Sequence, residues 1–184
     1  MDKNQTFLTP KTVLEIMTYT PPQKILEKYA DLLVNFALNS GKGVKKGEVV
    51  MVVVDDVAKP ILLELHKAIL KAGAHPMLRL LPTGISKDFY ALADEKQMTF
   101  FPEKMTKARC ELIDHQISII SDADPHELQH VDPKKIFKAT SARKKVREWL
   151  DDKENKGKFT WTLALYGTPA MAKEANMSLQ HYWK

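Results

Sequence analysis

Glu48-Val49-Val50-Met51-Val52-Val53-Val54 is the stretch on which the fold turns. It is an unbroken apolar run rich in β-branched residues, and a strand apolar on both faces is what a sheet covered by helices on both sides requires. The next segment has a different period. From Ala58 to Ala72, Leu62, Leu65, Ile69 and Ala72 fall on one helical stripe, and Gly73 stands where a left-handed C-terminal cap is expected. Pro76-Met77-Leu78-Arg79-Leu80-Leu81 then reads as a second strand. Strand, helix and strand in that order make a βαβ unit, whose crossover is right-handed almost without exception. The expected fold class is therefore α/β, with three layers and a mostly parallel sheet flanked by helices.

Toward the N-terminus, Thr20-Pro21-Pro22-Gln23 has the form of a capping box, and Ile25, Leu26, Tyr29, Leu32, Leu33 and Phe36 recur at helical spacing behind it. That helix is expected to end near Ser40-Gly41. The loop from Gly41 to Gly47 mixes glycine and lysine, but it leads from a helix into a strand, the reverse of a phosphate-binding loop. Toward the C-terminus the alternation continues. Helices are expected from Ser86 to about Met98, from Pro102 to His115, and, highly charged, from Pro133 to about Asp152; Ile117-Ser118-Ile119-Ile120 reads as a strand. In the last strand, Phe159, Trp161, Leu163 and Leu165 alternate with Thr160, Thr162 and Ala164, predicting one packed face and one more polar face near a sheet edge or domain boundary. Asp151 to Lys158 is the one linker-like stretch. Thr168-Pro169 opens a short helix, and Ser178 to Trp183 reads as the start of another whose aromatics have nothing downstream to pack against. The expectation is a natural chain that continues past Lys184, or aromatics that dock on a neighbour.

A chain of 184 residues with 44% hydrophobic content can bury one substantial core. Cys110 is the single cysteine, which excludes an intramolecular disulfide and fits a reducing compartment; it reads as a small buried hydrophobe. No apolar run approaches the roughly 18 residues that cross a bilayer, and MDKNQTFLTP has no signal-peptide core, so the expected location is cytoplasmic with no membrane partner. The net charge of +5 arises from 28 basic against 23 acidic residues, too modest a surplus to mark a nucleic-acid binder.

His126-Glu127-Leu128-Gln129-His130 matches the H-E-x-x-H pattern, in which two histidines four apart on a helix bind zinc and the glutamate activates the bound water. Asp124-Pro125 and Asp132-Pro133 bound it closely, and neither His115 nor His181 continues it as a third ligand in a zinc-peptidase pattern. A short solvated surface helix is the expected reading, with a self-contained zinc peptidase as its rival. A second rival is a nucleic-acid module built on Lys134, Lys135, Lys138, Arg143, Lys144, Lys145 and Arg147; Phe137 and Trp149 are too few to stack bases, and a solvated helix face is expected instead. His66 and His75 read as packing or surface histidines. Asp55 and Asp56 lie just past the first strand, where open α/β sheets place ligand crevices; one of them is expected to cap the next helix, with a share in a crevice as the alternative.

From Ile25 onward the chain resembles the N-terminal half of the aminopeptidase S and aminopeptidase T type metalloaminopeptidases, the thermophilic or leucyl aminopeptidases. The matching phrases are Glu27-Lys28-Tyr29-Ala30-Asp31-Leu32-Leu33-Val34, Val44-Lys45-Lys46-Gly47-Glu48-Val49-Val50, and Ala68-Ile69-Leu70-Lys71-Ala72-Gly73-Ala74. They continue in Ile117 to Pro125, Val131-Asp132-Pro133, and Trp161 to Ala172. The resemblance implies residues 1–24 as an N-terminal extension and 25–184 as the N-terminal α/β domain of a hydrolase that removes N-terminal residues from peptides. It implies two divalent metal ions of the zinc, cobalt or manganese type, held entirely by a C-terminal catalytic domain that this chain lacks. No catalytic residue, metal ligand or cofactor is therefore assigned to this chain, which alone is expected to be inactive. Its implied partners are that catalytic domain, peptide substrates in the full-length protein, and a second copy in a homodimer. Asp55, Asp56, Tyr166 and Thr168 are the candidates to line an interdomain cleft.

Overall fold

Val49–Asp55 (β1) runs through the middle of the sheet in the computed structural model, which describes residues 19–184. It pairs in parallel with His75–Leu81 (β2) on one side and His115–Ile120 (β3) on the other. Thr160–Leu165 (β4) adds to β3, also in parallel, giving a four-stranded sheet in the order β2-β1-β3-β4. The βαβ unit is present. Lys59–Lys71 (α2) carries proline in its first turn and ends on Gly73 at φ 75°, where the Ala74 N–H donates to the Ile69 carbonyl at 3.1 Å. Only a residue without Cβ adopts that left-handed angle cheaply. The fold is the three-layer α/β arrangement expected from the sequence.

Paired residues in a parallel sheet share a face, so the register separates two sides. Val50, Val52 and Val54 lie on the same side as Ile117, Ile119 and Ala164. Gln23–Asn35 (α1) and α2 cover that side, bringing Leu26, Val34, Ile61, Leu65 and Ile69 to 1% exposure or less. Each such side chain withdrawn from water contributes about 1.5–3 kcal/mol before entropy is charged against it. The other side is thinner. Met51, Ile113 and Phe159 form its small buried cluster, with Val49, Val53, Met77 and Leu150 packed partly against it.

The layer beyond that second side consists of Ile85–Leu92 (α3), Glu95–Thr99 (α4), Glu103–Leu112 (α5), Pro133–Ser141 (α6) and Lys144–Asn155 (α7). The helix expected over 86–98 is thus two helices. Asp94 Oδ1 accepts from the Gln97 N–H and Gln97 Oε1 from the Asp94 N–H, each at 2.8 Å, a reciprocal capping box that starts a new helix. The single charged helix is likewise two, interrupted at Ala142-Arg143, and the expected linker is mostly the last turns of α7. The helix expected to reach His115 stops at Leu112. There the Lys153 ammonium donates to the carbonyls of Cys110, Glu111 and Ile113, closing the helix end with a cation of favourable sign.

Two other expectations are corrected. The Thr20–Gln23 capping box does not form: α1 begins at Gln23 behind Pro22 with no side-chain cap, and its inward stripe is Leu26, Ala30, Leu33 and Val34, leaving Ile25, Leu32 and Phe36 exposed. In β4, Trp161 is 53% and Leu163 54% exposed, whereas Ala164 is buried and Thr160 and Thr162 half-buried. The larger apolar residues therefore occupy the open face. Register with β3 puts the Thr and Ala set on the side that α1 covers, and the Tyr29 hydroxyl locks this in place by donating to the Leu165 carbonyl and accepting from its N–H.

Pro169–Glu174 (α8) and Leu179–Tyr182 (α9) follow β4. Tyr182 and Trp183 pack within the chain itself. Trp183 meets Tyr166 edge-on at 5.0 Å between centroids, and its indole N–H donates to the Gly167 carbonyl at 3.0 Å. A Cβ on Gly167 would stand 2.6 Å from the Tyr182 ring, so this close approach needs glycine. Among the described residues no helix is long and apolar enough to cross a membrane.

Candidate functional site at the carboxyl ends of the strands

The carboxyl ends of β1, β2 and β3 open into a small cleft of about 140 Å³, lined by Asp55, Thr83, Ser121, Asp122, Asp124 and Glu127 among others. Asp55 ends β1, and its Oδ2 accepts from the buried Ser121 hydroxyl at 3.0 Å. Burial raises the Asp55 carboxyl above its ordinary value; the Ser121 bond offsets part of this, while the charges of Asp122 and Asp56 add to it. Asp56 behaves oppositely. The Thr83 hydroxyl donates to it and holds its carboxyl below the ordinary value. Neither aspartate caps α2, whose preceding residue Ala58 makes no side-chain cap, so that expectation is corrected: both carboxylates are committed to hydroxyls on neighbouring segments.

Tyr166 and Thr168 lie at the same end of the sheet. The Tyr166 N–H donates to the Ile120 carbonyl at 2.8 Å, its ring is buried against Trp183, and that burial raises its phenol above the ordinary value. Thr168 is buried too; its hydroxyl donates to the Asp122 carbonyl and accepts from the Met171 N–H at 3.1 Å, capping α8. Asp55, Tyr166 and Thr168 thus converge on the segment Ile120–Asp122, while Asp56 turns toward the loop after β2. The cleft offers carboxylate and hydroxyl groups.

His126 to His130 occupy successive turns, so the expected short helix is absent. The Glu127 N–H donates to the Asp124 carbonyl and the Gln129 N–H to that of His126, both spanning three residues. The flanking prolines leave too little chain for a stable helix. Glu127 Oε1 accepts from the Lys87 N–H at 3.0 Å, and His126 Nε2 lies 3.6 Å from Glu174. Among the described residues no three His, Cys, Asp or Glu side chains come together in a way that could hold a metal ion.

His115, a candidate third ligand on sequence grounds, is 4% exposed and has both ring nitrogens engaged, with Thr160 Oγ1 and with Glu48 Oε2, each at 2.8 Å. Desolvation pushes Glu48 up, but hydrogen bonds from the Lys45 N–H and His115, and the charges of both, bring it to a net value below the ordinary one. This link joins the starts of β1, β3 and β4, a role visible only once the strands are paired. Four of the seven basic residues named for α6, α7 and their junction are paired with carboxylates: Lys138 with Glu95, Lys145 with Glu103, Arg147 with Asp151 and Lys144 with Glu148. Cys110 is buried, and that burial raises its thiol above the ordinary value.

Residues 22–184 match the family model of the thermophilic metalloproteases (M29), and the chain belongs to that family of metallopeptidases. Among solved structures it is similar to wild-type AmpT from Thermus thermophilus, at 20% sequence identity and a TM-score of 0.69 over 88% of this chain. The chain spans 42% of that protein's length. At this identity the likeness establishes a shared fold. No curated protein matches. The family implies a divalent metal, and the carboxylates of the described cleft do not assemble a donor set that fits one.

Proposed function

We propose that this chain is the N-terminal, supporting domain of a metal-dependent aminopeptidase that removes N-terminal residues from peptides, and that the dinuclear metal site belongs to a C-terminal catalytic domain. The observation that carries the reading is the extent of the match: the family model runs over residues 22–184, yet the chain spans only 42% of AmpT. In this reading the segment Ile120–Asp122, held by Asp55, Tyr166 and Thr168, forms a rigid wall of the interdomain cleft. Behind it Ser121, Tyr166 and Thr168 are buried, and the carboxylates of Asp55 and Asp122 at its mouth can position an adjoining domain or the polar backbone of a peptide without taking part in bond cleavage. The whole protein is a cytoplasmic homodimer in this proposal, its reduced Cys110 fitting that compartment.

The test is hydrolysis of an N-terminal leucine amide by the purified 184-residue chain, supplied in turn with zinc, cobalt and manganese. No turnover above the metal-only control is expected. Turnover that depends on the added metal and scales with protein concentration would overturn the proposal.

A further inference from the structure

The open side of the sheet holds two adjoining hollows. One, of about 950 Å³, lies between β3, β4 and the helices α6 and α7, with Phe137, Leu150, Trp161 and Leu163 among its walls. The other, of about 230 Å³, reaches inward to Met51 and Cys110 and is lined by Arg79 and Arg109. They share Gln116, Val146 and Leu150. Arg143 stands on the rim of the larger hollow, its guanidinium 5.9 Å from the Phe89 ring centroid.

Arg79, Arg109 and Arg143 make no ion pair among the described residues. Nearby carboxylates are committed elsewhere: Glu103 to Lys145 at 2.8 Å, Asp151 to Arg147 at 3.1 Å, and Glu154 to the Trp161 indole N–H at 3.2 Å. Arg79 is exposed on the edge strand β2; partial desolvation beside the smaller hollow, followed by the charges of Arg109 and Arg143, pulls its guanidinium below its ordinary value. Arg143 also precedes α7, whose first turn has no side-chain cap, so backbone donors and the positive helix end add to the same field. Like charges gathered beside an apolar hollow repel one another weakly where water reaches them and favour an anion placed between them, and arginine's planar fork suits the oxygens of a carboxylate or phosphate.

We propose that the paired hollows are a binding site for an organic anion, with a carboxylate or phosphate group held by Arg79, Arg109 and Arg143 and an apolar body laid along Phe137, Trp161 and Leu163. The site lies on the opposite sheet face from the α1/α2 core and is independent of the metal chemistry of the family. Charge selects the head group and the exposed apolar wall selects the tail. Neither feature alone explains why three arginines without an ion pair among the described residues border an apolar groove.

The test uses the 184-residue chain and follows arginine Nε–H and Trp161 indole signals by NMR during titration with octanoate, octyl phosphate, 1-octanol and inorganic phosphate. Saturable binding of octanoate or octyl phosphate is expected, the tighter of the two identifying the head group, with 1-octanol and inorganic phosphate each weaker by roughly tenfold or more. Combining Arg79→Gln with Arg143→Gln is expected to weaken the anionic ligand by roughly tenfold or more while leaving the melting temperature unchanged or higher, since a repulsion is relieved. Arg143→Gln alone, at an exposed position, gives the same direction if the double variant does not fold. Binding of 1-octanol as tight as octanoate, no saturable binding of either anion, or unchanged anion affinity in the variants would overturn the assignment.

Discussion

The two faces of the sheet are built from the same strands and finished differently. On one, Val50, Val52, Val54, Ile117 and Ile119 meet α1 and α2 in a continuous core whose members are almost wholly withdrawn from water. On the other, the buried cluster reduces to Met51, Ile113 and Phe159, the middle of β3 carries Gln116 and Ser118, and Trp161 and Leu163 face outward. The first face supplies stability. The second leaves arginines and apolar surface uncovered, a state that a chain retains where something binds.

Core truncation separates the two faces by the largest margin. Ile69→Ala, on the closed face at 0% exposure, is expected to cost about 2–5 kcal/mol in urea unfolding, whereas Leu163→Ala should stay within about 0.5 kcal/mol. Similar costs at the two positions would show the open face to be part of the core. Next in size is His115→Ala, which strips a buried partner from Glu48 and Thr160 and should cost about 1–3 kcal/mol. Because Glu48 is held below its ordinary value, the stability it contributes is present above the unfolded glutamate pKa and lost as pH falls through the folded one; His115→Ala should flatten that loss in urea midpoints measured through the acid range.

Tyr29→Phe removes the hydroxyl that bridges α1 to the edge of β4 and should cost about 0.5–1.5 kcal/mol by the same unfolding assay. Burial raises the Tyr29 phenol, the backbone bond from Leu165 opposing it in part, so its stabilisation is present below the unfolded tyrosine pKa and lost as pH rises through the folded value. The smallest effect is expected from Asp55→Asn. The raised Asp55 carboxyl makes its ionised form a liability near neutral pH, so the amide should raise the melting temperature at pH 7 and lose that advantage below the ordinary aspartate range. A lower melting temperature at pH 7 would show that the carboxylate, with its bond from Ser121, is favourable in place.

The closed face is largely legible in the amino-acid sequence, because its signals are local. The β-branched run of β1, the stripe of α2 and the Gly73 cap each constrain backbone geometry where they occur. The break at Asp94 is also readable, since Asp94-Glu95-Lys96-Gln97 carries a capping box that helical periodicity hides. The orientation of β4 is not legible: alternation says which residues share a face, while the partner α1, distant in sequence, decides which face is covered. The same distinction applies to the cleft. Its position beyond β1 follows from Asp55 and Asp56, but their commitments to Ser121 and Thr83 depend on strand order. Arg79, Arg109 and Arg143 are far apart in the chain, and no spacing in it announces that they line adjoining hollows.

If the metal ions of the proposed peptidase are held outside this chain, the number of metal ions bound per chain is the quantity that shows it. The purified 184-residue chain and its His126→Ala variant are equilibrated with zinc, dialysed, and assayed for metal per chain by plasma mass spectrometry. Substoichiometric zinc, equal in both, is expected. Stoichiometric zinc retained by the native chain and lost with His126→Ala would contradict that placement.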